Sequence, residues 1–400
     1  MHRQIGHLTL TDAEAQLAPW HRPAPPIERA EYEARIERAR VLLRGQDIDA
    51  LLTTAGASLR YFCGVPWGAS ERLVALLITR TAEPIAICPG FEAATMQHVL
   101  TVPVQVRLWE EHENPYALVA AALAERSART LALDPAAPFF AYAGLCAELG
   151  AHTIVNAQAI VDGCRARKSP AELKLMQQAC DMSLHVHRLA AGLIHEGITT
   201  TELKYFIDRA HRRLGADNGS TFCIVQFGAA TSHPHGIPGE QRLRENELVL
   251  IDTGCSVQGY NSDITRTYIY GKPTAEQARI WDLEHAAQAA AFGAVLPGAS
   301  AEAVDTAARS VLAGSGLGPD YRLPGMPHRT GHGCGLSVHE APYVVRGNTT
   351  PLASGNCCSI EPMIVVPGSF GVRLEDHFYV TEHGAAWFTP PSPAIDCPFA

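Results

Sequence analysis

Leu248-Val249-Leu250-Ile251-Asp252-Thr253-Gly254 is a run of apolar residues that ends in a carboxylate. A turn through Gln258-Gly259-Tyr260 follows, and Asn261-Ser262-Asp263-Ile264-Thr265-Arg266-Thr267-Tyr268 resumes the strand pattern. Folded as a hairpin, the two segments bring Asp252 and Asp263 across neighbouring strands to side-chain distance. Two like charges at that range raise each other's pKa unless a cation lies between them. Taken singly, each aspartate also suits a turn cap or a solvated strand end. Inside so apolar a strand, the pair is a candidate metal site.

The same device recurs near the C-terminus. Cys358-Ser359-Ile360-Glu361-Pro362-Met363-Ile364-Val365-Val366 embeds an acid in a strand, and so does Gly371-Val372-Arg373-Leu374-Glu375-Asp376-His377-Phe378-Tyr379-Val380. Pro367-Gly368-Ser369-Phe370 reads as the hairpin turn between them. Buried acids need a partner or a metal. Arg373 lies two positions from Glu375 and so on the same face, where it either braces a ligand carboxylate or forms an ordinary surface pair.

Between the acid pairs lies His328-Arg329-Thr330-Gly331-His332-Gly333-Cys334-Gly335-Leu336-Ser337-Val338-His339-Glu340. Three glycines in five positions disfavour a helix and let backbone pass close to a ligand or metal. Imidazole is the commonest nitrogen ligand and the natural proton carrier near neutral pH. A second pair, His233 and His235, precedes the Asp252 strand in a loop. His185 and His187, in a helical stretch, read as ordinary solvated histidines. Four carboxylates and one imidazole, with no thiolate, favour Mn(II), with Co(II) and Zn(II) as alternatives. Four acids carry more charge than one ion balances, whereas two ions sharing bridging carboxylates fit.

Composition excludes several classes. A net charge of −9 argues against nucleic acid as a partner. Met1 to Leu17 carries charges and no apolar core of a leader, so no secretory signal is expected and the cytoplasm is the expected compartment. The longest apolar stretch, Pro135 to Leu149, is too short to span a bilayer, so no membrane partner is expected. Eleven cysteines without C-x-x-C spacing read as free thiols in a reducing compartment rather than a metal site.

A length of 400 residues predicts more than one domain. In the first, Glu28 to Arg44 is helical in period, and Ala50 to Thr54, Leu73 to Thr79, Ile85 to Cys88 and Thr130 to Asp134 are buried strands. Helices over Pro115 to Ala128 and Phe139 to Leu149 complete a small α/β domain with a partly parallel sheet. Charge and proline interrupt the pattern at Cys164 to Pro170. Ser169 with Glu172, and Thr199 with Glu202, then open helices reaching Leu193 and Leu214. Beyond Thr221, strands with glycine-rich turns and helices at Ala275 to Val295 and Ala301 to Ala313 predict an α+β domain on an antiparallel sheet.

Ile251-Asp252-Thr253-Gly254, Asn261 to Thr267, His328 to Glu340, Glu361-Pro362 and Arg373-Leu374-Glu375-Asp376 together resemble the creatinase/aminopeptidase P/prolidase family of pita-bread fold. The resemblance implies a creatinase-like domain over 1–165 and a pita-bread metallopeptidase domain over 166–400. It implies that Asp252, Asp263, His332, Glu361 and Glu375 bind two divalent ions, Asp263 and Glu375 bridging them. It further implies that Glu361 carries a proton, that His235 protonates the leaving group, that His339 holds the carbonyl region and that His328 lines the leaving-group pocket. Arg373 would hold ligand geometry. The implied activity is cleavage of the Xaa-Pro imide bond of dipeptides by a metal-bridged hydroxide, in a homodimer. Aminopeptidase P and non-peptide amidohydrolases or lyases share the scaffold. In some dipeptide-specific relatives a basic residue follows the His-Glu-x-Pro segment; here that position is Tyr343, with Arg346 three residues later as a substitute.

Overall fold

The computed structural model describes residues 4–149 and 153–399. The chain forms two compact units, Pro26–Arg165 and Ala166–Ala400, the second joined by the N-terminal segment up to Pro25. The break at residue 165 falls where charge and proline interrupt the sequence pattern. The N-terminal segment differs from the expected 1–165 grouping for a backbone reason. The amides of Gly6, His7 and Leu8 donate to the carbonyls of Ala191 and Gly192, and that of Trp20 to Leu214. These carbonyls end the helices Pro170–Gly192 and Thr200–Leu214, so the segment satisfies acceptors that a helix end leaves bare.

Unit Pro26–Arg165 is built on a six-stranded sheet. Its order is Gln105–Trp109, Ile85–Pro89, Ala75–Thr79, Ala50–Thr54, Thr130–Leu133, Thr153–Asn156. Pairing is antiparallel on both sides of Ala75–Thr79 and parallel elsewhere, as a partly parallel sheet requires. Leu52, Leu77, Ile87 and Leu131 from the strands pack with Val119, Leu123 and Leu145 from the helices Pro115–Glu125 and Phe139–Leu149. Each fully buried leucine or isoleucine of this kind contributes about 1.5–3 kcal/mol.

In the second unit, both helix starts carry complete capping boxes. Ser169 accepts from the Glu172 amide while Glu172 accepts from that of Ser169, and Thr199 and Glu202 repeat the exchange. Such a cap stabilises its helix by about 1 kcal/mol. Two larger antiparallel sheets follow, with a two-stranded one formed by Met363–Val366 and Phe370–Arg373. One orders Ser220–Phe227, Glu247–Val257 and Ile264–Tyr270. The other orders Glu340–Val344, Gly331–Gly333, Cys357–Ile360, Asp376–Val380 and Ala385–Trp387. Helices Ala275–Gly293 and Ala301–Gly314 bury Ile280, Trp281, Val304 and Ala308 against Leu248, Ile360, Val372 and Phe378.

Candidate metal centre

Gln258 and Gly259 both have positive φ, 50° and 82°, the paired left-handed conformation of a tight two-residue hairpin turn. That turn sets the register so that Asp252 pairs with Thr265 and Thr253 with Ile264. Asp263 therefore lies across from Gly254, and the two aspartates are diagonal neighbours on one face rather than directly opposed. Gly254 is required there, because a Cβ would stand 1.9 Å from the Ser262 carbonyl oxygen.

The second hairpin is interrupted where its acids lie. Ile360 pairs with Asp376 on one side and Met363 with Arg373 on the other, in a single register. Between them the strands part. Glu361 donates its amide to the Thr330 carbonyl at 2.8 Å, and Glu375 donates its amide to that of Thr265 at 3.1 Å. Each acid is thus handed to a different neighbouring strand, Glu361 beside the histidine segment and Glu375 beside the aspartate hairpin.

The histidine segment forms the short strand Gly331–Gly333, and its glycines serve a different purpose from the expected one. A Cβ at Gly331 would lie 2.0 Å from the Ser359 carbonyl oxygen, and one at Gly333 2.4 Å from that of Ala341. The close approach is to adjacent strands, not to a ligand. It seats His332 with Nε2 3.0 Å from Glu361 Oε1, 3.8 Å from Asp263 Oδ2 and 4.0 Å from Glu375 Oε1. His332 Nδ1 lies 3.1 Å from the Gly333 carbonyl. An Nδ1–H donated there leaves the Nε2 lone pair facing the acids, the arrangement of a metal-binding imidazole.

Asp252, Asp263, His332 and Glu375 are buried and Glu361 is half-buried. Burial, then repulsion from Glu375 and Asp252, pushes the Asp263 carboxyl well above its usual range. Burial and the charges of Glu361 and Asp252 do the same to Glu375. Asp252 is raised by burial, an effect that the Arg373 guanidinium opposes. Glu361 runs the other way: burial raises it, but with no ion bound and a proton on His332 Nε2 the hydrogen bond and charge of that ring outweigh burial and hold it low. Asp252 Oδ1, Asp263 Oδ1 and Glu375 Oε1 have no hydrogen-bond partner among the described residues. Mutually repelling acids with orphaned oxygens are the donor set that divalent ions would fill.

Arg373 does not offset this charge alone. Its guanidinium donates to Asp252 Oδ2, to Thr265 Oγ1 at 3.0 Å and to the Pro234 carbonyl at 3.0 Å. It thus braces Asp252 rather than Glu375, its sequence neighbour. Thr265 in turn donates to Glu375 Oε2 at 2.8 Å. A lone threonine in a β-strand carries no sequence signal, so this link was not foreseen. Nor was Glu284, a fully buried acid beside the Leu374 amide, raised well above its usual pKa by burial. Lys168 ion-pairs with Glu340 at 2.7 Å, tying down the residue that follows His339.

The acids floor a cleft of about 740 Å³ whose walls include His235, His328, Arg329 and His339. Three of these four are the histidines singled out from the sequence. His339 packs on His332 with ring centroids 3.9 Å apart, and burial followed by the His332 charge lowers its pKa to about 4. Tyr343 and Arg346 are not among the lining residues. Arg346 is an exposed partner of Asp320 at 2.5 Å, and Tyr343 backs Arg329, whose guanidinium lies 4.5 Å from its ring centroid. His187 departs from the sequence expectation: it is fully buried, 3.0 Å from the Ile264 carbonyl, because its helix packs on the sheet.

Among the described residues no helix is long and apolar enough to cross a membrane, and all eleven cysteines are free. Residues 174–382 match the model of metallopeptidase family M24, and 35–167 match the creatinase/prolidase N-terminal domain. The chain is 34% identical over 357 residues to the probable dipeptidase PepE of Mycobacterium tuberculosis, covering 88% of this chain and 93% of that one. The crystal structure of dipeptidase PepE from Mycobacterium ulcerans superposes with a TM-score of 0.84 at 34% identity, over 92% of this chain and 97% of that one. A prolidase from Thermococcus sibiricus gives 0.83 at 28%, over 92% and 98%. With both domain models matched in order and the acid-lined cleft inside the matched region, the chain belongs to metallopeptidase family M24, a pita-bread catalytic domain preceded by a creatinase-type N-terminal domain.

Proposed function

We propose that this peptidase is an Xaa-Pro dipeptidase working with two divalent ions, Mn(II) foremost, with Co(II) or Zn(II) as alternatives. The observation that carries the reading is the orphaned, mutually repelling carboxylate set of Asp252, Asp263 and Glu375 on the floor of an open cleft, with His332 Nε2 turned toward it. When bound by these residues and Glu361, the ions would lower the pKa of a water and polarise the scissile carbonyl. Glu361, on the cleft wall beside His332, receives the proton of the attacking water. His339 steadies the carbonyl oxygen from the cleft wall. An imide nitrogen has no hydrogen of its own and leaves only when protonated, the task given to His235. His328, with Phe222 and Ile224, supplies the side of the cleft that takes the proline ring.

A dipeptide also brings a free carboxylate into this acidic cleft. Arg346 is committed to Asp320, whereas Arg329 lines the cleft and has no carboxylate partner among the described residues. Arg329, stacked on Tyr343, is therefore the cation assigned to that carboxylate. A cytoplasmic homodimer is the expected setting, checked by sedimentation of the purified protein.

The test is hydrolysis of Ala-Pro, Ala-Pro-Ala and Pro-Ala with added Mn(II), Co(II) or Zn(II). Cleavage of Ala-Pro but not Pro-Ala is the expected result. Faster cleavage of Ala-Pro-Ala moves the assignment to aminopeptidase P. No cleavage of any Xaa-Pro substrate with any metal removes the peptidase reading in favour of a non-peptide substrate.

A further inference from the structure

We infer that His377 is an additional protein ligand of the metal centre, giving one ion an imidazole beside the Asp263 and Glu375 carboxylates. The inference rests on the reading that divalent ions occupy the acid cluster, and adds a residue to it.

His377 lies two positions past Glu375 along an extended chain, so both side chains project to the same side. Its backbone is fixed by pairing with Ser359 and by the Phe388 amide, which donates to its carbonyl at 2.9 Å. The side chain is fully buried. Its Nδ1 contacts the Cys180 sulfur at 3.9 Å, and its Nε2 has no hydrogen-bond partner among the described residues. A buried ring nitrogen without a partner is costly, and none of the described residues offers it a hydrogen bond.

Two other buried atoms beside it are orphaned in the same way, Asp263 Oδ1 and Glu375 Oε1. A ring nitrogen of His377 and one carboxylate oxygen from each of these acids all lie within 4.8 Å of one another. The Asp263 and Glu375 carboxylates make no hydrogen bond to the ring, so the groups do not satisfy each other. Donors about 2.1 Å from a common ion stand roughly 3–4.2 Å apart, the scale of this gap. An ion held by these two acids therefore also satisfies the unpaired ring nitrogen of His377. An Nδ1–H directed at Cys180 leaves the Nε2 lone pair for that ion.

The alternative is a core histidine held only by its weak contact with Cys180. That leaves the buried Nε2 without any partner, beside acids that already call for a cation. A second imidazole also changes the chemistry of the centre. Five ligands with a single nitrogen suit Mn(II), whereas two nitrogens shift the balance toward Co(II) and Zn(II).

The test compares metal-free full-length protein with His377→Leu and His377→Gln, titrated with Co(II) and read by visible absorption, with Zn(II) and Mn(II) affinities measured in parallel. Far-UV circular dichroism and thermal melts of the metal-free forms establish that each variant folds. The expected result is a changed Co(II) spectrum and a Zn(II) affinity reduced at least about 10-fold at one of two sites, with Mn(II) affinity moved less. X-ray absorption of the Zn(II)-loaded wild type provides a reading that needs no variant: about one imidazole per zinc is expected, against one per two zincs if His332 acts alone. Unchanged spectra and affinities in a folded variant, or one imidazole per two zincs, overturn the inference. Ala-Pro hydrolysis is scored separately. A wild type that cleaves it while its spectrum ignores His377 refutes this inference alone, and a His377-dependent spectrum without cleavage refutes the peptidase reading alone.

Discussion

Thr265 stands directly across from Asp252 in the strand register, yet its hydroxyl serves two other residues: it donates to Glu375 Oε2 at 2.8 Å and accepts from Arg373 Nε at 3.0 Å. One side chain thus orients the acid of one hairpin and the guanidinium that braces the acid of the other. Thr265→Val keeps the strand and removes both bonds. It is expected to weaken metal binding about 10–100-fold, read by competition with a chromophoric chelator, while the fold is retained. Wild-type affinity in this variant would show the hydroxyl to be incidental.

Asp263→Asn preserves shape and removes a charge at the middle of the acid set. Metal content by mass spectrometry should fall below two ions per chain. Hydrolysis of Ala-Pro should drop more than about 100-fold, beyond the range seen when only outer partners are lost. A fully active variant would disprove the ligand assignment.

Arg373→Met leaves Asp252 buried without its counter-charge. Breaking one side of a buried pair costs about 3–5 kcal/mol. Urea unfolding of the metal-free protein should show that loss, and Asp252→Asn in the same chain should recover a large part of it. If the two substitutions prove additive, Arg373 stabilises by packing and not by charge.

Part of the acid stability is set away from the cleft. Burial lowers His187 and His211 to about 3, so both stay neutral in the folded protein while the unfolded chain protonates near 6.5. A depressed histidine contributes stability that is fully present above 6.5 and is lost as pH falls from there toward 3, at about 1.4 kcal/mol per pH unit for each group. His211, bonded to Ser183 and Ser220, does not line the cleft and is the one to test. His211→Gln should flatten the melting temperature between pH 6 and 4. An unchanged slope would place the proton uptake elsewhere.

Arg329→Ala should raise KM for Ala-Pro about 10-fold or more, the loss of one charge-assisted contact, while leaving KM for the corresponding amide Ala-Pro-NH2 within about twofold. Equal effects on both would assign Arg329 to general cleft structure.

Much of this architecture could be read from residues alone because it rests on local chemistry. The capping boxes at Ser169 and Thr199 announce their helices, and acids such as Asp252 and Glu361 stand out against apolar strands. The strand Gln105–Trp109 was not legible: it lies at a sheet edge, only Trp109 is buried, and Gln105 and Arg107 break any apolar run. Thr265, Arg329 and His377 escaped for another reason. Their roles depend on what stands across a strand or a cleft from them, and no periodicity encodes that. The glycines of the histidine segment were legible as close approaches but not as approaches to strands, since the sequence does not say which backbone comes near.

The single register that runs through the parted hairpin has a consequence for how the centre is assembled. Glu361 and Glu375 belong to one contiguous stretch, Cys357 to Val380, and Asp252 and Asp263 to another, Glu247 to Tyr270. Each stretch closes on itself through short-range contacts, which form early and at low entropic cost. The slow event expected from this is a docking of two finished pieces, sealed where Thr265 meets Glu375. The four acids come together only at that last step, so ions added to an unfolded chain find no preformed cage, and metal should be captured after the backbone has closed.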